Sequence, residues 1–321
     1  MSSDTTQPVD DQNLWRAVFT SEKGWSPGVG FADHLSIAAP ALAEVDGTLY
    51  CVHRGARDGE EKQQPINWTS FTPATLKPYV TALEEARTPL PEDATEEQVA
   101  QWQKNVQAAA DALAAARRWT PDARVGWIRS TEAPALVNDG GTLRMVFTNA
   151  EPDYDTTYLS LAEVELKRDG DKVRWGQPVA IEADRMSGSA SFAPALAVFN
   201  GQVHLLYAVP DEGCIVHLVR HDAGDWQPVA AADGTEVATP ALRQTPPQWV
   251  MEHLKKDGYV GNLALAVHDG KLHLVYRDYA LSPRLVHAVF DGTTWTKAEP
   301  VGQSSRRTAA LASYDGKLHA V

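Results

Sequence analysis

The chain repeats one short pattern five times, and this repeat constrains its fold more than any other feature of the sequence. Each copy is a segment built around an Ala-Leu pair, with a proline before that pair in three copies, and it ends in Asp-Gly or Asn-Gly. The copies are Ala39–Gly47, Ala133–Gly140, Ala193–Gly201, Asn262–Gly270 and Thr308–Gly316. These dipeptides accept the positive φ angles of a tight hairpin turn. Repetition at this spacing predicts a series of similar small sheets.

An alternating strand follows each turn, and most copies then continue into a third and a fourth strand. The small residues before the turn suit the innermost strand of a propeller blade, where neighbouring sheets crowd around an axis. The fourth strands open with tryptophans, for which packing between blades is the simplest role. These are Trp119, Trp175, Trp226 and Trp295.

The last copy ends in its second strand, and the N-terminal sequence contains a candidate for the rest of that blade. Leu14–Phe19 copies the third strand Leu285–Phe290, and Trp25 copies the start of a fourth strand. Joining these segments to the last blade would close the ring and remove exposed sheet edges. The sequence therefore predicts one all-β domain over residues 1–321, a five-bladed β-propeller whose last blade is closed by N-terminal strands.

Two insertions interrupt the repeat. Residues 72–118 in the first blade have a helical pattern, Leu76–Ala86 and Glu96–Arg118, and Thr95 with its following glutamates and glutamine is a typical helix start. We expect a helical hairpin here. Residues 239–258, between the third and fourth blades, predict a loop with a short helix.

Composition excludes several function classes. A formal net charge of −13 without a dense basic stripe argues against nucleic-acid binding. No run approaches the roughly 18 apolar residues of a membrane span, so no membrane partner is expected. Without a recognisable secretory signal a cytoplasmic location is the default, with leaderless or processed export left open. No cofactor motif is present.

Propeller geometry directs attention to one face of the molecule, where first strands begin and second strands end. Residues at these positions differ between copies while the scaffold repeats, so they are free to build a pocket. Trp249 in the second insertion is a further candidate because it does not repeat. The predicted ligand-binding residues are Arg54, Arg129, Glu132, Tyr259, Asn262, Arg277, Arg306, Arg307 and Trp249.

The same face offers carboxylates for acid–base chemistry. A pair of them beside an axial pocket would permit glycoside hydrolysis, and the candidates are Glu132, Asp33 and Asp278. Histidines recur at matched strand positions, as in His204 and His217. A residue that repeats with the scaffold is most simply part of it, so no metal site is expected.

The strand pattern, the Asp-Gly turn and the terminal tryptophan resemble bacterial propeller proteins of the sialidase-like and lectin-like kind. In blade number the chain is similar to the five-bladed tachylectin lectins. This resemblance implies a propeller that recognises carbohydrate.

Three functions follow as hypotheses. The first is lectin-like, non-catalytic binding of a carbohydrate or small polar ligand at the axial face. The second is a glycosidase-type hydrolase with Glu132 and a nearby aspartate. The third is a protein-interaction scaffold that binds a protein partner at the helical hairpin.

Overall fold

The computed structural model describes most of the chain. The described residues are 13–16, 19–20, 24–25, 29–56, 64–91, 93–116, 119–149, 160–169, 172–181, 193–209, 214–221, 224–231, 233–240, 263–277, 284–304, 309–314 and 316–320. The chain divides into two compact units, each described on its own. Unit 1 is Met1–Leu35, Leu42–Cys51 and Trp68–Ala123, and unit 2 is Ser36–Ala41, Val52–Asn67 and Arg124–Val321.

The N-terminal strands pair with one another. They are β1 (Asn13–Arg16), β2 (Phe19–Thr20), β3 (Gly24–Trp25) and β4 (Val29–Leu35). Strand β1 pairs antiparallel with β4, and β2 pairs with β3. Leu14 packs with Cys51 and Trp119. The prediction that these strands complete the last blade is therefore wrong. Pairing between neighbours along the chain closes a shorter loop and costs less conformational entropy.

The first four-stranded sheet has the order β5–β6–β7–β8. Its strands are β5 (Ala41–Val45), β6 (Thr48–Arg54), β7 (Gln64–Phe71) and β8 (Ala123–Ser130). Asp46 and Gly47, in the turn between β5 and β6, have φ angles of 49° and 72°. Asn200–Gly201 and Asp269–Gly270 show the same pair of positive φ angles. The predicted hairpin turns are confirmed at these three sites.

A 3₁₀ turn (Pro73–Leu76) and two α-helices follow β7, α1 (Lys77–Ala86) and α2 (Glu96–Ala116). The start of α2 is a capping box, in which each partner satisfies a backbone N–H of the other. The Gln98 amide N–H donates to Thr95 Oγ1 at 3.3 Å, and the Thr95 N–H donates to Gln98 Oε1 at 2.8 Å. The helices pack against each other. No helix in the described part of the chain is long and apolar enough to cross a bilayer.

Three further sheets lie in unit 2, with the orders β12–β11–β10–β9 (β13 pairing with β11), β14–β15–β16–β17 and β18–β19–β20–β21. A last hairpin, β22–β23, forms a two-stranded sheet. The strands are β9 (Ala135–Asp139), β10 (Thr142–Asn149), β11 (Ser160–Asp169), β12 (Lys172–Trp175), β13 (Val179–Ala180), β14 (Ala195–Phe199), β15 (Gln202–Val209), β16 (Cys214–Arg220), β17 (Trp226–Pro228), β18 (Ala264–His268), β19 (Lys271–Arg277), β20 (Arg284–Phe290), β21 (Glu299–Ser304), β22 (Leu311–Tyr314) and β23 (Lys317–Ala320).

The first strands of successive sheets contact one another in the order β9, β14, β18 and β22. This is the arrangement of propeller blades around an axis. The fold is an all-β propeller with four blades of four or more strands. The prediction of five blades is corrected, because β22 and β23 pair only with each other among the described residues.

The fourth-strand tryptophans join neighbouring blades through a repeated hydrogen bond. Trp226 Nε1 donates to Glu163 Oε2 of the preceding sheet at 2.8 Å. One repeat further on, Trp295 Nε1 donates to His217 Nδ1 at 3.2 Å. Glu163 pairs with Val146, and His217 pairs with Leu206. Val146 and Leu206 hold the same position in the second strands of their blades, so Glu163 and His217 are equivalent. At these two interfaces the indole N–H ties a blade to the one before it, whereas the buried Trp175 Nε1 makes no such bond among the described residues.

Glu163 is buried and charged, and cations from two sheets surround it. Arg144 Nη1 donates to Glu163 Oε1 at 2.8 Å, and Arg220 Nε donates to both Glu163 oxygens at 3.1 Å. Arg144 also bonds Asp139 at 2.6 Å and contacts Glu165. The buried carboxylate is therefore fully paired, as a charge in the interior requires.

The repeated histidines form cross-strand pairs. His204 Nδ1 lies 2.9 Å from His217 Nε2, and His273 Nδ1 lies 2.9 Å from His287 Nε2. Burial lowers the pKa of His204 to about 4 and that of His217 to about 3. Both imidazoles are neutral at neutral pH, as scaffold hydrogen bonding requires. No group of three or more His, Cys, Asp or Glu side chains that could hold a metal ion is found in the described ranges.

Replacing Glu163 should destabilise the fold strongly. Glu163→Ala leaves Arg144, Arg220 and the Trp226 indole without their shared acceptor, and we expect a loss of about 3–5 kcal/mol in the free energy of unfolding. Trp226→Phe removes one charge-assisted hydrogen bond and should cost about 1.5–3 kcal/mol. Urea unfolding measures both, with Glu299→Ala on exposed β21 as the control. A Glu163→Ala protein as stable as this control would contradict the proposed role.

Candidate functional site

A short serine turn fixes the backbone at the start of the second blade. Ser130 is fully buried at the end of β8. Its hydroxyl donates to the Glu132 carbonyl oxygen at 2.9 Å and accepts from the Glu132 N–H at 3.2 Å. Two hydrogen bonds thus hold the residue that immediately precedes the repeated Ala-Pro-Ala-Leu segment.

The first blade contains the same turn without the carboxylate. The Ser36 hydroxyl donates to the Ala38 carbonyl oxygen at 2.7 Å and accepts from the Ala38 N–H at 3.3 Å. Ala38 and Glu132 both precede Ala-Pro-Ala-Leu, so they occupy equivalent positions. The turn belongs to the scaffold, whereas the glutamate is particular to the second blade.

Glu132 has the electrostatics of a proton donor. Its side chain is partly buried, and burial raises the pKa of its carboxyl group from 4.5 to about 7. The positive charge of Arg54 opposes this rise. A carboxylic acid with a pKa near neutrality can hold a proton and release it at the pH at which most enzymes work.

Arg54 ends the second strand of its sheet, and the chain is anchored there. The Ile37 N–H donates to the Arg54 carbonyl oxygen at 3.3 Å, which holds the strand end beside the Ser36 turn. The equivalent strand-end residues in the next blades are Thr148, Ala208 and Arg277. Arg277 is 6% exposed, and burial lowers its pKa. One repeat position therefore supplies two arginines and a threonine to the same face.

Two hydroxyl groups near Glu132 are buried without a hydrogen-bond partner among the described residues. They are Thr131 Oγ1, from the adjacent residue, and Thr148 Oγ1, on β10. The register of β9 with β10 pairs Ala135 with Val146. This register places Thr148 at the end of β10 that lies beside the start of β9. Glu132 lies just before that start. A buried hydroxyl without a protein partner calls for another one, such as an ordered water.

The structure brings together some of the predicted site residues. Arg54 and Glu132 interact electrostatically, and Arg277 lies at the strand end equivalent to Arg54. Arg129 is exposed on β8. The backbone of Asp33 lies in β4. The remaining predicted residues lie outside the described residues: Trp249, Tyr259, Asn262, Asp278, Arg306 and Arg307.

Sequence reasoning missed Ser130 and the two threonines. Ser130 had a signal, because Ser36 and Ser130 stand six residues before the leucine of the same repeat. Extending the repeat alignment toward the N-terminus of each copy would have found the turn. Thr131 and Thr148 had no such signal, since their lack of partners depends on burial in three dimensions.

The helical hairpin and the cysteines offer little to a functional site. Leu83 and Leu113 are buried, and Trp102 Nε1 donates to the Thr88 carbonyl oxygen at 3.0 Å. The predicted protein partner at the hairpin is therefore not supported. Burial, with the charge of Asp122 as a smaller cause, raises the pKa of the Cys51 thiol to about 12, so Cys51 is not a nucleophile.

The sequence matches no protein-family model and no curated protein. Among solved structures, AofleA from Arthrobotrys oligospora, as a triple arginine-to-alanine mutant, is 12% identical over 95% of this chain and 71% of its own, with a TM-score of 0.51. A GH43_1 enzyme from Xanthomonas citri, complexed with xylotriose, is 12% identical over 96% and 83%, with a TM-score of 0.48.

An exo-β-1,3-galactanase from Phanerochaete chrysosporium, with β-1,3-galactotriose, is 8% identical over 90% of this chain, with a TM-score of 0.46. The chain spans about half of that enzyme's length, 54%. These similarities concern the propeller fold alone.

The leading functional prediction, lectin-like binding without catalysis, is corrected. The similar structures include a galactanase and a xylosidase, which are glycoside hydrolases. Likeness at this level shows the fold alone, so the second hypothesis, a glycosidase-type hydrolase, needs a chemical argument of its own. The chemical argument for that hypothesis rests on Glu132 itself.

The raised pKa of Glu132 predicts a pH-dependent effect of Glu132→Gln on stability. Below about pH 4.5 the carboxyl group is protonated in both the folded and unfolded states, so the substitution should change little. Between pH 4.5 and 7 the folded state binds more protons, so wild-type stability falls as pH rises. Well above pH 7 the variant should be more stable by roughly 3 kcal/mol, because a pKa of about 7 in the folded state against 4.5 in the unfolded state is two and a half tenfold steps in proton affinity, each worth about 1.4 kcal/mol.

Urea unfolding from pH 4 to 8 measures this difference. Glu84→Gln, at an exposed position on α1, is the control and should track the wild type at every pH. A constant difference between Glu132→Gln and wild type across this range would contradict a raised pKa.

Proposed function

We propose that this chain is a glycosidase-type hydrolase in which Glu132 donates a proton to the leaving group. The single observation that supports this most strongly is the pKa of about 7 at Glu132, caused by burial. A solvated carboxyl group would be ionised at neutral pH and could not act as an acid. Burial keeps a fraction of Glu132 protonated there.

Glycoside hydrolysis requires a second carboxyl group in the opposite protonation state. As the bond between the anomeric carbon and the glycosidic oxygen breaks, Glu132 gives its proton to that oxygen. The second carboxylate either activates water or attacks the anomeric carbon directly. The candidate from the sequence within the same compact unit as Glu132 is Asp278, the residue after Arg277.

The other groups of the site suit a substrate rich in hydroxyl groups. Thr131 and Thr148 carry hydroxyls that both donate and accept, and because both oxygens are buried, their contact with a substrate would run through a bridging water. Arg54 adds a cation that donates hydrogen bonds and limits how far burial raises the pKa of Glu132. Several donors and acceptors around one acid favour a sugar as the substrate.

Hydrolysis of xylotriose, β-1,3-galactotriose and a panel of aryl glycosides tests the proposal. Glu132→Gln should lower kcat/KM for oligosaccharides by about 100-fold or more, as expected for loss of a general acid. The loss should be much smaller for 2,4-dinitrophenyl glycosides, because their leaving group needs no proton. Wild-type kcat/KM should fall above about pH 7.

Matched variants separate the roles of the carboxylates. If Asp278 is the second carboxylate, Asp278→Asn should lower the rate on both substrate types. Glu84→Gln, at an exposed position on α1, should keep full activity. Equal losses on both substrate types for Glu132→Gln would overturn its role as the acid. Absence of hydrolysis of every panel member by the wild type would overturn the proposed function.

A further inference from the structure

The indole hydrogen bond between the third and fourth blades ends on a histidine pair and fixes where the ring hydrogens of that pair lie. Trp295 Nε1 lies 3.2 Å from His217 Nδ1, and an indole nitrogen is a donor only. His217 Nδ1 therefore carries a lone pair, and the ring hydrogen is on Nε2. His217 Nε2 donates to His204 Nδ1, 2.9 Å away, so the hydrogen of neutral His204 is on its own Nε2. One chain of hydrogen bonds thus runs from Trp295 to His204.

This chain of hydrogen bonds has no place for an extra hydrogen. A proton on His217 Nδ1 would face the indole N–H. A proton on His204 Nδ1 would face the hydrogen on His217 Nε2, and moving that hydrogen to Nδ1 only transfers the conflict to the indole. Protonation of either ring therefore breaks one of the two hydrogen bonds.

The described surroundings of the pair are aromatic and do not favour a charge. His204 and His217 are 5% and 4% exposed. Phe290 lies edge-on to His217, with ring centroids 5.0 Å apart, and Phe199 lies edge-on to His204 at 5.4 Å. Burial lowers the pKa of both rings, and the charge of His204 lowers that of His217 further. A backbone hydrogen bond with Phe199 opposes this effect at His204. A proton on the pair would therefore be a poorly compensated buried charge.

Other titratable groups on the surrounding strands are engaged elsewhere or exposed. Arg220, on β16, bonds Glu163 at the preceding interface, and His287, on β20, bonds His273. The exposed groups on these strands and beside them are Asp225, Arg284, Asp291, Lys297 and Glu299.

The preceding interface has the same indole bond with a different acceptor. Trp226 donates to the carboxylate of Glu163, so that bond does not depend on an imidazole lone pair. We propose that His204 and His217 form an acid-sensitive latch between the third and fourth blades, which opens when the pair takes up a proton from solvent and releases the Trp295 indole. The sensitivity to acid belongs to the interface that carries the imidazole acceptor. None of the latch residues belongs to the Glu132 site, so this inference is independent of the proposed hydrolase.

The direction of the pH effect follows from where the proton binds more tightly. A released histidine has an ordinary pKa of 6.5, whereas in the closed latch burial lowers the pKa to about 4 for His204 and about 3 for His217. The open state binds more protons below about pH 6.5, so the latch weakens as pH falls toward 4. Glu132 has the opposite effect on stability between pH 4.5 and 7. The test therefore follows the Trp295 indole and not the stability of the whole protein.

NMR of protein labelled with ¹⁵N at histidine tests the order of the hydrogens. At pH 7 both rings should be neutral with the hydrogen on Nε2, and the signals are assigned by comparison with His204→Gln and His217→Gln. A hydrogen on Nδ1 of His217 would overturn the latch, because that nitrogen could not accept from the indole.

Hydrogen exchange of the indole N–H groups, followed from pH 7 to pH 5, tests the opening itself. The opening constant at Trp295, corrected for the intrinsic exchange rate, should rise by about tenfold or more, since each pH unit below 6.5 favours protonation of a released histidine about tenfold. The Trp226 N–H in the same protein is the reference and should change much less. An equal rise at both indoles, or no rise at Trp295, would contradict a local latch.

A double substitution, His204→Gln with His217→Gln, keeps amide donors and acceptors at both positions but removes the basic nitrogens. The opening constant at Trp295 should then lose its dependence on pH. His221→Gln, at an exposed position, is the control and should behave as the wild type does. Retention of the wild-type pH dependence in the double variant would overturn the proposal. If the double variant does not fold, the two wild-type measurements decide the proposal.

Discussion

Hydrogen bonds from Trp226 and Trp295 to the preceding sheets join three consecutive blades, and the arrangement of those blades depends on them. Each sheet has two largely apolar faces and can bury them only against its neighbours. The indole N–H sets where the outer strand meets the previous blade, at Glu163 in one case and His217 in the other. An indole N–H is a donor only, so its acceptor can change between carboxylate and imidazole without altering the scaffold.

This fixed scaffold allows function to be placed at single repeat positions. The serine turn holds Ala38 in one blade and Glu132 in the next with the same two hydrogen bonds. In the second blade, one substitution within the same turn makes a structural position a candidate site.

The repeat predicted the propeller class and the hairpin turns, and the capping sequence at Thr95 predicted the start of α2, because each is determined by local chemistry. Asn200 and Asp269 adopt positive φ beside glycine, and Thr95 caps the helix as its sequence indicates. The blade number was not predictable in this way. The similarity between Leu14–Phe19 and Leu285–Phe290 indicates a strand pattern in both segments, but it does not indicate which strand each one pairs with. Strand β1 pairs with β4. Glu132 was a candidate by position, but its pKa depends on burial and on Arg54, which no single-sequence pattern reveals.

The most direct test of the account is an NMR titration of the Glu132 carboxyl carbon in protein labelled with ¹³C at glutamate, assigned by comparison with Glu132→Gln. The account predicts a midpoint near pH 7, moving higher in Arg54→Gln, because the arginine charge opposes the effect of burial. A midpoint near pH 4.5 in both proteins would contradict it, since Glu132 would then be an ordinary solvated carboxylate unable to serve as the acid.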